Sequence, residues 1–406
     1  MKDITKTKSR EIIEDFAKEI REHQSPGPKP SKTVIDFRTD KKDGKERKVF
    51  WIPIEFLRYR KDNGRIASDV LDYELHYGVL QEGKQECQDR LKGFLLAKDK
   101  EKTEELKAAI EHSGQQEPAI ITCDGFLING NRRKMVLELL KEKDPGNPDF
   151  AFMKVVILPG KDDRANVPTL LEIEQIENRY QLQSDGKAEY YGFDRALSIR
   201  KKVQLGMSIE AQLKDDPVHA GLRGKEFKNA VEKVKNEYLR PLECIDRYLT
   251  SLRRRGFYSS VAKGMGDPEG RWQAFIDYSQ KYPQFADPAK RMKLGISEEE
   301  VGNIEQSAFT IIRKRDFGHI GLKAHNIMRE LPKWLEHKDS KRELLKLAEL
   351  PQILSKEECT DKDGNEISER DKDRKWGEKH ASYIINHVKK ARDLYEHKRD
   401  RETPIN

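Results

Sequence analysis

The box Gly130-Asn131-Arg132-Arg133 stands between a short apolar hairpin and an amphipathic run. Glycine at that point permits a sharp strand-to-helix turn. Arg132 and Arg133 then fall at the opening of a helix, where exposed backbone N–H groups and two guanidiniums suit an anion such as a phosphate. Arg65, in Asp62-Asn63-Gly64-Arg65-Ile66-Ala67, follows an Asn-Gly turn. It is either a second contact for a phosphate or a base, or an ordinary exposed turn arginine. Glu177 and Asn178 offer a carboxylate and an amide that could orient a metal or a nucleotide; the alternative is a solvated helix face. In Leu252-Arg253-Arg254-Arg255-Gly256-Phe257-Tyr258, arginines that hold phosphates stand beside aromatics that stack on bases. The same run also reads as a helix end whose cations answer the helix dipole.

The elements around these residues are legible at low resolution. Residues 119–122 and 126–128 are apolar runs around Asp124-Gly125, a hairpin signal, and 134–140 reads as the helix that follows. A first strand is expected over 47–56, continuing into Leu57-Arg58-Tyr59-Arg60, and another over 152–158, rich in β-branched residues. Helices are expected over 1–23, where Ile12, Ile13, Phe16 and Ile20 recur at helical spacing, over 70–113 with a charged insertion at 98–105, and over 170–182. Gly114 suits the C-cap of the segment before the hairpin. Residues 25–32, SPGPKPSK, read as an extended linker. The run 187–215 continues as helix with an apolar stripe that includes Tyr190, Phe193 and Leu197, and Ser208 is placed as the N-cap of the next helix. From 271 onward the chain reads as charged helices.

The bulk composition bounds the class. The chain has 406 residues, 35% of them apolar and 37% charged, with a mean hydropathy of −0.89 and a pI near 8.9. That length allows two or three domains, and the polarity predicts many solvent-facing helices. Lysine and arginine outnumber aspartate and glutamate by 79 to 72, a net charge of +7. This mild excess permits nucleic-acid contact through a local patch without demanding it. No apolar run approaches the roughly 18 residues of a membrane span, and the N-terminal stretch is charged throughout, without a secretory core. Cys87, Cys123, Cys244 and Cys359 are scattered with no CxxC, which points to a reduced, cytoplasmic protein without structural zinc. No phosphate-binding GxxxxGK[ST] occurs. Asp361-Lys362-Asp363-Gly364-Asn365 fails as a calcium loop, because its glycine comes early and its twelfth position is Lys372.

Taken in order, LKAAIEHSGQQEPAIIT, DGFLI and NGNRRKMVLELL resemble the central segment of the ParB/sulfiredoxin superfamily, in which a helix ending in Gly precedes a hairpin and a GxRR box. Upstream, Phe50-Trp51-Ile52-Pro53-Ile54 and Asn63-Gly64-Arg65-Ile66 are similar to the family's opening strand and its NPR-like segment. Downstream, Ile176-Glu177-Asn178 resembles its EN box, and Gly206-Met207-Ser208-Ile209-Glu210 the start of the helix that leads into a helix-turn-helix. The likeness covers roughly residues 48–215. Partition-type ParB carries an acidic residue where Asn131 stands. The cysteine and histidine of sulfiredoxin fall on Asn131 and Arg132, which argues against sulfinic acid reduction. The later arginine of the EN box falls on Gln181, with Arg179 as a substitute.

The resemblance implies an α+β fold, with a small ParB/sulfiredoxin-like mixed-sheet domain followed by a largely α-helical C-terminal region. The divisions expected are 1–46 (helix and linker), 47–165 (nucleotide-binding domain), 166–260 (helical extension with a candidate helix-turn-helix) and 261–406 (helical). It further implies ATP or CTP with Mg²⁺, bound by Gly130, Asn131, Arg132 and Arg133 with Arg65 and Asn178 closing the site, and Glu177 as metal ligand or catalytic carboxylate. DNA contacts would involve Arg253, Arg254 and Arg255. The expected function is a nucleotide-controlled switch on DNA with slow NTP hydrolysis, serving partition, regulation or phage defence in a prokaryotic or phage setting. A homodimer is compatible with the helical C-terminal part. A phosphotransferase or nuclease using the same site and a non-catalytic scaffold are the alternatives.

Overall fold

The computed structural model describes residues 8–35, 37, 46–98, 100–163, 166–182, 192–261 and 271–402. The chain divides into two compact units, Met1–Glu232 and Lys233–Asn406, so the segment expected at 166–260 as one extension is shared between them. The part of the 187–215 helix at 187–191, with Tyr190, and the run Lys263-Gly264-Met265-Gly266 lie outside the described residues.

In order, the first unit contains α1 (Glu14–His23), β1 (Ser31–Val34), β2 (Glu46–Pro53), α2 (Ala67–Tyr77), α3 (Gln85–Ala97), α4 (Lys100–Ser113), β3 (Ala119–Ile121), β4 (Leu127–Asn129), α5 (Asn131–Lys143), β5 (Phe152–Ile157), α6 (Leu170–Leu182), α7 (Phe193–Gln204), α8 (Ile209–Lys214) and α9 (Pro217–Ala220), followed by α10 (Gly224–Val234). Among the described residues the strands form one five-stranded sheet in the order β1-β2-β5-β3-β4. β2 runs antiparallel to β5, β3 parallel to β5 and antiparallel to β4. The fold is therefore α+β with a small mixed sheet. The linker read over 25–32 is broken by β1, which pairs Ser31 with Val49. Three of its four residues are exposed, so it carries none of the buried alternation that marks a strand in a sequence.

Apolar residues sit on both faces of this sheet because successive strand residues point to opposite sides. Ala119, Ile121, Leu127 and Val155 join a large core under α3, α4 and α5 that includes Leu91, Ile110, Leu137 and Leu140. Their neighbours Ile120, Ile128 and Val156 join a second core with Ile173, Ile176 and Tyr180 of α6. A strand buried on both faces reads as a continuous apolar run, as Ala119-Ile120-Ile121 does. Gly114 ends α4 in the left-handed region, φ +66°, with its N–H on Ile110 O at 2.9 Å, the expected cap.

The hairpin turn is held from a distance. Asp124 is fully buried. Arg10 Nη1 donates to its two carboxylate oxygens at 2.9 and 2.8 Å, and the Ile13 N–H donates at 3.1 Å. The Arg10 guanidinium lies 3.8 Å above the Phe126 ring. α1 then buries Ala17 and Ile20, while Arg58 stacks on Phe16 and pairs with Glu19 at 2.9 Å.

Among its described residues the second unit is helical apart from a ribbon of two two-residue strands, Asp316–Phe317 with Leu322–Lys323. It contains α11 (Arg240–Ser251), α12 (Arg271–Ala286), α13 (Pro288–Lys293), α14 (Glu298–Lys314), α15 (Ala324–Glu336), α16 (Lys338–Leu345), α17 (Glu369–Lys379) and α18 (Ala381–Glu402). Tyr248, Phe275, Tyr278 and Phe309 form an aromatic core with ring centroids 5.3–6.4 Å apart. α14 opens with a reciprocal capping box between Ser297 and Glu300. No helix among the described residues is long and apolar enough to cross a membrane.

Candidate functional site

A single residue, Gly130, separates β4 from α5. Its φ is +99°, and a Cβ there would lie 2.6 Å from Ala119 Cβ and 3.0 Å from Met153 Cε. Glycine alone satisfies both the left-handed backbone and the close approach. α5 starts at Asn131, earlier than the run 134–140 suggested, so both box arginines lie inside its first turn. Lys134 N–H donates back to Gly130 O at 3.0 Å, whereas the N–H groups of Asn131, Arg132 and Arg133 precede the intrahelical pattern. No acidic residue stands in this turn. Asn131 is 8% exposed, yet its Oδ1 accepts no hydrogen bond.

The two arginines differ. Arg133 reaches back along the hairpin, donating from Nη2 to Asn129 Oδ1 at 3.1 Å and from Nη1 to Glu117 O. Burial pulls its pKa down, with the charges of Glu117 and Tyr180 opposing. Arg132 is half-buried at the start of the helix.

The turn that carries Arg65 is a 3₁₀ element, Gly64–Ile66, capped by Asn63, whose Oδ1 accepts the Arg65 N–H at 3.0 Å. Arg65 is half-buried. This turn is joined to α6, because Gly64 N–H donates to Glu177 Oε1 at 3.1 Å. The other oxygen of Glu177 pairs with Arg60 Nη2, and both residues are 3% exposed. Arg60 Nη1 donates to Glu174 Oε1 at 3.3 Å, and Lys201 bridges Glu174 at 3.3 Å and Asp62 at 2.7 Å. Burial alone would raise the pKa of Asp62; Lys201 and Arg60 hold it down, to about 2. Glu177 is thus part of a closed ionic network with both oxygens engaged.

Asn178 faces another direction. Its Nδ2 donates to Gln212 O at 3.1 Å and Asp215 Oδ2 at 3.3 Å, and its Oδ1 accepts from Lys202 at 3.2 Å. Arg179 donates to Asp215 at 3.1 Å. The EN pair therefore splits, with Glu177 ordering the Gly64 turn and Asn178 tying α6 to α7 and α8. Among the described residues no three His, Cys, Asp or Glu side chains gather as a metal would need.

The basic run Arg253-Arg254-Arg255 alternates. Arg253 and Arg255 are exposed, Arg253 with φ +59°. Arg254 turns inward to Glu369 and to Asp373, the latter at 2.7 Å. Asp373 also pairs with Arg271 at 3.3 Å and Arg313 at 3.0 Å.

Ser208 caps α8 as expected, accepting from Ala211 N–H at 3.2 Å. Asp216 caps α9, accepting from Val218 N–H at 2.9 Å. α10 then buries Val231 and exposes Lys225, Lys228, Asn229 and Lys233 together with Glu226 and Glu232, with Arg223 exposed just before it.

Arg60 and Asp373 had not been singled out. The alternation Leu57-Arg58-Tyr59-Arg60 points away from it, since a strand with Leu57 and Tyr59 inward would turn Arg60 to solvent, whereas Arg60 is 3% exposed. Asp373 lies among other charged residues and gives no local cue. No family model matches the chain, and neither the curated proteins nor the solved structures contain a match to it.

Proposed function

We propose that the chain binds a nucleoside triphosphate, ATP or CTP with Mg²⁺, at the opening of α5, and that nucleotide occupancy governs its association with duplex DNA. The observation that carries this reading is the start of α5. A left-handed Gly130 launches a helix whose first turn has two arginines and no acidic residue, an arrangement suited to phosphate oxygens. The unpartnered Asn131 Oδ1 beside it is an acceptor for a ribose hydroxyl or a metal-bound water. The order of the ParB-like boxes supports the same reading, since the Asn63–Arg65 turn and α6 meet through Gly64 and Glu177.

A binding switch is favoured over a phosphotransferase or nuclease. Glu177, the carboxylate such an enzyme would use, is held by Arg60 and by the Gly64 amide. Hydrolysis, where it occurs, is expected to be slow. For DNA, the exposed cations of α10 and, separately, Arg253 and Arg255 supply phosphate contacts.

Equilibrium binding of labelled ATP and CTP with Mg²⁺, with and without duplex DNA, tests this on the wild type and on Arg132→Ala. Saturable binding that the substitution abolishes, and that DNA strengthens, is expected. If neither nucleotide binds the wild type, the proposal fails and a scaffold remains.

A further inference from the structure

On a side of α5 lined by Lys134, Glu138, Lys141 and Glu142 and not by residues 130–133, a pocket of about 630 Å³ lies between α3, α5 and the segment 54–59, within the range of small-molecule sites. Lys134 lines it while being only 5% exposed. Its Nζ pairs with Glu138 and lies 4.2 Å from the centre of the Tyr59 ring. The Tyr59 hydroxyl donates to the other Glu138 oxygen at 2.6 Å. A second lysine, Lys92, stands 3.3 Å from Glu138 and 3.0 Å from Glu142.

The two lysines share one carboxylate but differ in state. Burial lowers the pKa of Lys134 despite Glu138. Burial also acts on Lys92, but Glu142 and Glu138 outweigh it and raise its pKa. One amine is therefore eased toward its neutral, nucleophilic form while its neighbour stays a cation.

We infer that this pocket takes an α-keto acid, held as a reversible iminium on Lys134. Glu138 receives a proton from the Lys134 ammonium, and the neutral Nζ attacks the keto carbon. A nitrogen proton passes to the former carbonyl oxygen. Glu138 returns its own proton as that oxygen leaves as water and the nitrogen lone pair forms the C=N bond. Of the three ammonium protons, two leave in the water and one stays on the iminium, so Glu138 ends as it began. The product remains a cation at the same place, over the Tyr59 ring and beside Glu138, so the contacts that hold the ammonium also hold the iminium. Lys92 is the partner for the ligand carboxylate, and Phe16, Ile54 and Leu57 provide apolar wall for its side chain.

The test is reductive trapping on the full chain, with pyruvate or phenylpyruvate as probe, sodium cyanoborohydride as reductant, and peptide mass spectrometry to locate the adducts. Lys134 is expected to label about tenfold faster than Lys141, a more exposed lysine of the same pocket. Phenylpyruvate should label better than pyruvate. Lys134→Arg keeps the cation and should remove the principal adduct, and Tyr59→Phe should slow its formation. Labelling of Lys134 no faster than that of Lys141 in the wild type overturns the proposal, and this readout stands even where a variant fails to fold.

Discussion

The Gly64 amide donates to Glu177 Oε1 at 3.1 Å, a bond between residues 113 positions apart in the chain. It fixes the turn bearing Arg65 against α6, and Arg60 closes the pair from the other side. Glu177→Ala leaves Arg60 with the longer contact to Glu174 and the charge of Asp62, and removes the acceptor of the Gly64 amide. Breaking a buried ion pair from one side costs about 3–5 kcal/mol. Urea unfolding of the variant should show a loss of that order. A variant with wild-type stability and altered hydrolysis alone would instead give Glu177 a direct catalytic part.

Gly130→Ala tests the opening of α5. The left-handed backbone costs an alanine roughly 1–2 kcal/mol, and its Cβ would meet Ala119 Cβ at 2.6 Å. Pairing it with Ala119→Gly removes the contact but not the backbone strain. The double variant should regain stability only in part, and nucleotide affinity should follow the same order.

The three arginines of the 253–255 run should separate by assay. Arg253→Ala and Arg255→Ala should each reduce DNA affinity and its salt slope by about one charge, with folding unaffected. Arg254→Ala should lower thermal stability, because its guanidinium serves Asp373 and Glu369. Equal DNA defects in all three variants would contradict this division. Asp373→Ala is the harsher change, since Arg254, Arg271 and Arg313 then lose a common counterion that is 2% exposed.

Acid stability has an identifiable contributor in the second unit. Burial would raise the pKa of Glu343, but hydrogen bonds from Lys346, Lys390 and His387 bring it to about 2 from an ordinary 4.5. A carboxyl depressed in the folded state binds its proton more readily when unfolded. Its stabilisation is present above pH 4.5 and fades as pH falls toward about 2. Glu343→Gln should flatten the pH dependence of urea unfolding in that window. An unchanged slope there would show that other carboxylates dominate.

The parts of the site readable from the sequence are those whose geometry is local. Asp124-Gly125 and Gly130 mark their turns by backbone chemistry that acts within a few residues, and α6 has the bounds 170–182 that its pattern suggested. Long-range choices were hidden. Nothing near Arg60 says that it will meet Glu177, which lies 117 residues on. Likewise three adjacent arginines of identical type differ in fate because Asp373, 119 residues from Arg254, draws that one inward. β1 escaped because a mostly exposed edge strand has no buried alternation to reveal it.

The latch on the hairpin has a practical consequence. The loop ahead of β4 contains a buried carboxylate whose counterion, Arg10, comes from a segment that precedes the sheet entirely. A shortened version beginning at the first strand would look complete by its sheet yet would bury Asp124 without that cation. The smallest piece of this chain that keeps the α5 opening in its native setting must therefore begin before Arg10, and labels attached near that residue should be judged by whether the hairpin still closes.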